Sequence, residues 1–357
     1  MLQVIGLDPG FGAIKAAALT PEGALRQLSL PSSVGVGELD LGWLSLGKLG
    51  RRRPQEQPHA VAWDTGSVEG GPGGRVTYLT GARVEEYTRV VERMDFLRLA
   101  DGPELRALLY TALGLLVGSG SHDLALMLGL PVEVMADRAL ARSIRDGLRA
   151  WLLGTHALTL DGDAVTFAVA QLEVLAQPAG AFFAWGLDDA GQWARETADL
   201  QVPVGICDIG FNTLDLFSVQ GGRVQGRFTG GDTVGMRRAA EVLAQTVKSR
   251  HGVALSLQQA DALLRERRPN LATADGMMDL SAPASQARAA ATGAIIAFLE
   301  NRWGNGRQFR HLLFTGGGAE ALRTDLLRHY PHGLVLPEPV TANAVGLLRY
   351  GRRVFAV

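Results

Sequence analysis

The chain opens as short apolar runs broken by turn residues. Residues 4–7 and 13–19 are apolar runs separated by glycines, and 24–30 follow Pro21-Glu22-Gly23, which predicts three strands. Residues 31–75 carry little periodic pattern; within them Gly70-Gly71-Pro72-Gly73-Gly74 reads as a loop or hairpin tip and Arg51-Arg52-Arg53 as a solvated loop. Helical patterns are expected over 82–93 and 103–117, then a buried strand at 124–130 that stops at Pro131. Leu140, Ile144, Leu148 and Trp151 recur at helical intervals and predict a helix over 136–152. Strands are expected at 155–160 and 163–175 around Asp161-Gly162-Asp163, then a short apolar helix over 178–185 and a polar crossover over 187–201.

The pattern then restarts. An apolar run at 204–207 ends in Asp208, a glycine turn leads to a strand at 213–219, and a further strand is expected at 224–228. Helices are predicted over 234–250, 256–267 and 283–303, a strand over 311–314, a turn over 315–318, and helices over 320–329 and 341–350. Strands opened by an Asp-Gly turn and followed by helices thus occur twice, which suggests two α/β lobes with a cleft between them.

Composition narrows the function. The 35 basic and 36 acidic residues nearly cancel, which argues against a large phosphate-backbone surface and hence against direct nucleic-acid binding. The single cysteine, Cys207, excludes a disulfide framework and reads as buried packing, and the seven histidines show no metal-ligand spacing. The apolar stretch 105–130 is cut by Gly118-Ser119-Gly120-Ser121-His122-Asp123, so neither half reaches the roughly 20 residues of a membrane span. No basic segment precedes the first apolar run, so a cytoplasmic chain without a membrane partner is expected.

The chemistry concentrates in two turns: Asp8-Pro9-Gly10-Phe11-Gly12-Ala13-Ile14-Lys15 and Asp208-Ile209-Gly210-Phe211-Asn212-Thr213-Leu214-Asp215. Each sets an Asp at the end of a buried strand, a glycine two residues on, and a returning strand. Glycines let backbone N–H groups approach an anion, a strand-end Asp can hold the water shell of Mg²⁺, and Lys15 can neutralise a phosphate. A Walker phosphate loop is absent, and the first turn has neither the third glycine nor the helix of a dinucleotide fingerprint. Thr315-Gly316-Gly317-Gly318-Ala319-Glu320 adds a glycine turn against which a base and ribose can lie.

In this order the three motifs resemble the phosphate-1, phosphate-2 and adenosine motifs of the actin-like ATPase superfamily. Short stretches such as Gly129-Leu130-Pro131-Val132, Gln177-Pro178-Ala179-Gly180-Ala181, Gly230-Gly231-Asp232 and Ala342-Asn343-Ala344-Val345-Gly346 make it most similar to ParM/StbA-type bacterial and archaeal proteins. The resemblance implies a two-lobed α/β fold of duplicated ribonuclease-H-like units closing on ATP or ADP with Mg²⁺. The first lobe would span 1–187, with 31–100 a variable insertion, and the second 200–338, with the helix at 339–357 returning to the first. Asp8 and Asp208 would seat Mg²⁺ through water and, with Gln177, form the catalytic set. Gly10, Phe11, Gly12, Lys15, Gly210, Phe211, Asn212 and Thr213 would surround the phosphates. Gly231, Arg237, Glu241, Gly316, Gly317 and Gly318 would line the rest of the nucleotide site. A glutamine at 177 can orient water but not act as a base, which implies slow hydrolysis. Filament assembly with other copies of the chain follows from the same resemblance, serving plasmid or DNA segregation through a DNA-binding adaptor, or cytoskeletal positioning. A small-molecule kinase of the superfamily and a non-polymerising scaffold remain the alternatives.

Overall fold

A computed structural model describes residues 2–37, 57–65, 74–91, 96–100, 102–266, 268–274 and 276–355. Arg51-Arg52-Arg53 and the Gly70–73 stretch lie outside them. The chain forms two α/β lobes.

Among the described residues the first is built on nine strands: β1 (Gln3–Pro9), β2 (Ala13–Leu19), β3 (Leu25–Pro31), β4 (Val34–Val36), β5 (His59–Asp64), β6 (Arg75–Thr80), β7 (Gly120–Leu130), β8 (Gly154–Leu160) and β9 (Asp163–Ala176), in the order β3-β2-β1-β7-β9-β8-β5-β6-β4. The helices α1 (Pro103–Val117), α2 (Val132–Ala136) and α3 (Arg138–Leu152) accompany it. The Asp137 side chain caps α3 by accepting from the Ala139 and Leu140 N–H groups, and Ile144, Leu148 and Leu152 carry its buried face. Two helices, α4 (Gln177–Gly186) and α5 (Thr197–Gln201), lead to the second lobe.

There β10 (Val204–Ile209), β11 (Leu214–Gln220), β12 (Arg223–Val224) and β13 (Gly230–Asp232) precede α6 (Arg237–His251) and α7 (Leu257–Arg265). A separate hairpin, β14 (Asn270–Thr273) with β15 (Gly276–Asp279), leads into α8 (Ser281–Trp303). The chain ends with β16 (His311–Thr315), α9 (Gly316–Ala321), α10 (Arg323–His329), β17 (Gly333–Val335) and α11 (Ala342–Val354). The second sheet runs β12-β11-β10-β16-β17, with β13 on β11.

The order β3-β2-β1-β7-β9 in one lobe repeats as β12-β11-β10-β16-β17 in the other. In each, an antiparallel hairpin is followed by parallel pairing of its first strand, β1 on β7 and β10 on β16. β10 is buried throughout, and β1 from Val4, β7 from Leu124 and β16 from Leu312 onward, as strands covered on both faces must be. The helices that close the two halves are exchanged. Ala179, Ala181, Phe182 and Trp185 of α4 pack on Val204, Ile206 and Phe217 of the second sheet, whereas Ala344, Val345 and Leu348 of α11 pack on Val4, Ala17 and Ala125 of the first. The two cross at Gly180 and Gly346, where a Cβ on Gly346 would overlap the Gly180 carbonyl oxygen.

Three expectations change. No helix covers 82–91; a 3₁₀ turn at Val84–Glu86 begins after Arg83 in left-handed backbone (φ 57°). Val84 and Thr88 lie across Gly35, so the apolar spacing there serves contact with β4 rather than a helical face. The expected strand at 224–228 shortens to Arg223–Val224 followed by a 3₁₀ turn, Gly226–Phe228. The glycine turn at 315–318 is already helix from Gly316.

Candidate functional site

Both Asp-Gly hairpins end in the cleft between the lobes. In the first, Asp8 pairs in register with Lys15, and the Gly10 N–H donates to both the Asp8 and Ala13 carbonyls. Lys15 Nζ lies 3.5 Å from Asp8 Oδ2. A Cβ on Gly10 would sit 2.8 Å from that ammonium, so the glycine keeps the cradle in front of Lys15 open. In the second, Asp208 pairs with Asp215, and the Gly210 N–H donates to the Thr213 carbonyl. The tips meet: a Cβ on Gly12 would be 2.7 Å from Phe211 Cβ.

Asp8 and Asp208 are 3 % and 7 % exposed. Asn343, in the first turn of α11, joins them. Its Nδ2 donates to Asp208 Oδ2 at 2.6 Å and, more weakly, to Asp8 Oδ2 at 3.5 Å. Burial and the Asp8 charge hold the Asp208 carboxyl above its ordinary range, while Lys15 and the Asn343 amide pull the other way. Asp215 is more buried still, and burial together with the Asp208 charge pushes it up to about 7. Its Oδ1 accepts from the Val132 N–H at 3.0 Å, a link from the second lobe to the first.

The hairpins enclose a cavity of about 380 Å³. Of the residues singled out in the sequence, Asp8, Gly10, Phe11, Gly12, Lys15, Gln177, Asp208, Gly210, Phe211, Asn212, Thr213 and Gly317 line it. Gln177 is the first residue of α4, and its Cγ packs against Gly129. The others are placed differently. Gly316 (φ 88°) and Gly318 pack on the end of β10, where a Cβ on Gly316 would strike Asp208 and one on Gly318 would strike Ile209. Gly231 lies in β13 beneath Asp215. Arg237 and Glu241 pair at 2.8 Å beside an adjoining polar cavity, which Arg237 connects to the first through Asn212 at 3.4 Å.

Sequence reading gave no role to several residues in or behind the cavity wall. Asn343 sat unremarked inside a quoted motif, and Asp215 was a carboxylate in an otherwise apolar strand. Asp261 and Arg265 of α7 pair at 2.9 Å at the cavity wall, with Arg265 Nη1 donating to the Gly317 carbonyl. An i,i+4 ion pair on a helix carries no signal that it faces a cleft.

The donor set suits a hydrated divalent cation beside a phosphate: two buried carboxylates, an ammonium, open glycine backbone, and a buried amide oxygen, Asn343 Oδ1, with no hydrogen-bond partner. Among the described residues no group of three or more His, Cys, Asp or Glu could hold a metal, so a cation seated here would keep much of its water.

Comparison with known proteins agrees with this layout. A model of the N-terminal domain of actin-like proteins matches residues 6–180, and a model of the C-terminal part of archaeal MreB-like actin homologues matches 206–328. This chain is an actin-like protein. Its fold is the two-lobed α/β fold of that superfamily. The actin-like chain superposes on a ParM from a 15-stranded Clostridium botulinum filament with TM-score 0.74 at 20 % identity, covering 99 % of each chain. A Bacillus thuringiensis ParM with ATP gives 0.72 at 12 % identity over 100 % of both chains. An archaeal actin homologue gives 0.71 at 16 % identity over 99 % of this chain and 100 % of that one. By sequence, no curated protein matches. Among the described residues no helix is long and apolar enough to cross a membrane.

Proposed function

We propose that this actin-like protein binds ATP with Mg²⁺ in the cleft between its lobes, hydrolyses it slowly, and assembles into filaments with other copies of itself. One observation carries the reading: the buried Asp8 and Asp208 face one cavity from two glycine hairpins, beside Lys15 and Gln177. Asp8 and Asp208 would hold the cation through water, Lys15 and the hairpin N–H groups would hold the phosphates, and Gly317 with Arg265 would lie along the nucleoside. When bound, Mg²⁺ would neutralise phosphate charge and polarise the scissile phosphate. Gln177 would orient the attacking water without taking its proton, consistent with a timer rather than a fast enzyme.

A ParM solved with ATP and another solved within a filament support nucleotide binding and self-assembly. The likeness to ParM structures supports a role in DNA segregation or cytoskeletal positioning, and the near-neutral charge supports engagement of any DNA through an adaptor. Electron microscopy and phosphate release in ATP·Mg²⁺ and in ADP test the reading. The expected result is filaments with ATP that disassemble as phosphate appears. A chain that stays monomeric at micromolar concentrations while phosphorylating a small molecule would replace it with the kinase alternative.

A further inference from the structure

The duplication places a second carboxamide at the cleft. Gln177 stands at the start of α4 and Gly180 follows three residues later; Asn343 stands in the first turn of α11 and Gly346 follows three residues later. The two glycines form the crossing of these exchanged helices, and a Cβ on Gly180 would fall against the Asn343 backbone, 2.8 Å from its Cα. Asn343 and Gln177 are therefore carried on one rigid unit, as counterparts in the two halves of the fold.

Asn343 is 3 % exposed, and its two ends differ. The Nδ2 donors go to Asp208 and Asp8, one carboxylate from each lobe. The Oδ1 is buried without a partner. Leaving such an oxygen unpaired in a buried site costs free energy, so a donor is required there. Among the described residues no protein group supplies one.

We infer that Asn343 is a positioning residue of the cation seat: its amide N–H groups hold Asp8 and Asp208 in place, and its carbonyl oxygen accepts a hydrogen bond from the water shell of a divalent cation between them. The inference rests on the nucleotide reading of the cleft. It gives the C-terminal helix a part in cation binding, because the residue that ties the two hairpins belongs to neither.

Binding of a fluorescent ATP analogue by the full chain tests it, measured in EDTA and across a Mg²⁺ titration, for wild type, Asn343→Ala and Asn343→Asp. In Asn343→Ala the Mg²⁺ concentration at half-effect should rise about tenfold, while affinity in EDTA stays within about twofold. Asn343→Asp keeps an acceptor but trades the donor for a charge. It should lower the Mg²⁺ midpoint below that of wild type and weaken binding in EDTA. This variant matches Asn343 in shape but adds a like charge, so a melting curve in Mg²⁺ confirms that each variant is folded before the midpoints are compared. An unchanged midpoint in both variants, or equal shifts with and without Mg²⁺, would overturn the inference and leave the nucleotide site intact. Wild type that shows no Mg²⁺-enhanced binding would overturn the nucleotide reading and the inference with it.

Discussion

The hairpin of the first lobe and that of the second share strand pairing, glycine turn and leading aspartate, yet they balance charge in opposite ways. Asp8 faces Lys15 across its hairpin, a carboxylate with its own counter-ion; Asp208 faces Asp215, a carboxylate against another. The first hairpin carries its own counter-ion, with only a long contact to Asn343 from outside. The second holds no cation of its own and draws on elements outside its hairpin, Asn343 from α11 for Asp208 and the Val132 N–H at the start of α2 for Asp215, beside Thr213 within it. A duplicated scaffold has thus divided its work. One copy brings an ammonium to the cleft, and the other brings two carboxyl groups that crowd each other and share partners with the first lobe.

The sharpest way to break the comparison is to remove Asp208. Asp208→Ala should lower Mg²⁺-dependent phosphate release about 10²-fold or more, as losing a key electrostatic contact in a buried site does. The melting temperature should change little, because relief of the repulsion from Asp8 and Asp215 offsets the loss of the hydrogen bond from Asn343. A stability loss matching the activity loss would make Asp208 a structural group. Lys15→Ala tests the other hairpin. ATP affinity should fall about tenfold, the scale of one charge-assisted hydrogen bond, and calorimetric titration would show it.

The two turns should also differ in tolerance. Gly12→Ala drives a Cβ to 2.7 Å from Phe211 Cβ, between lobes, whereas a Cβ on Gly210 comes to 3.1 Å from the Thr213 carbonyl within its own turn. Denaturant unfolding should give a loss of about 1–3 kcal/mol for Gly12→Ala and less for Gly210→Ala. Equal losses would mean that the hairpin tips do not meet.

The parts legible in the sequence were those whose signal is local. An apolar run ending in Asp and a glycine turn announces a strand end, so both hairpins and the duplication could be read directly. Asn343 could not, since the carboxylates it joins lie 335 and 135 residues away and nothing near it marks which face of its helix meets them. The glycines at 316 and 318 were read as nucleotide contacts because glycine at a turn suggests ligand approach. Their need for space comes instead from Asp208 and Ile209, neighbours set by the parallel pairing of β10 with β16. The misread helix over 82–93 failed for a like reason: its apolar spacing matches contacts with Gly35 on β4.

The smallest effect separates the lobes by pH. Folded Asp215 keeps its proton up to about 7, against an ordinary 3.8, because it is buried beside Asp208. Between those values the folded chain binds more protons than the unfolded one, so stability falls as pH rises through this window and levels off above it. The first lobe holds the opposite case. His156 is buried, its Nδ1 on the Tyr110 hydroxyl at 2.9 Å and its Nε2 on the Leu152 carbonyl at 2.7 Å, and burial lowers its pKa. Below about 6.5 the unfolded chain takes a proton that folded His156 resists, so stability falls as pH drops. Melting curves from pH 5 to 8 should therefore show an alkaline limb that Asp215→Asn makes shallower by a few degrees, with Asp208 supplying what remains. His156→Leu should flatten the acid limb alone. That variant leaves the Tyr110 hydroxyl without its partner and melts lower at every pH, so the slope is the quantity to read. If Asp215→Asn altered the acid limb instead, the second hairpin's unbalanced pair would not be the source of the alkaline loss.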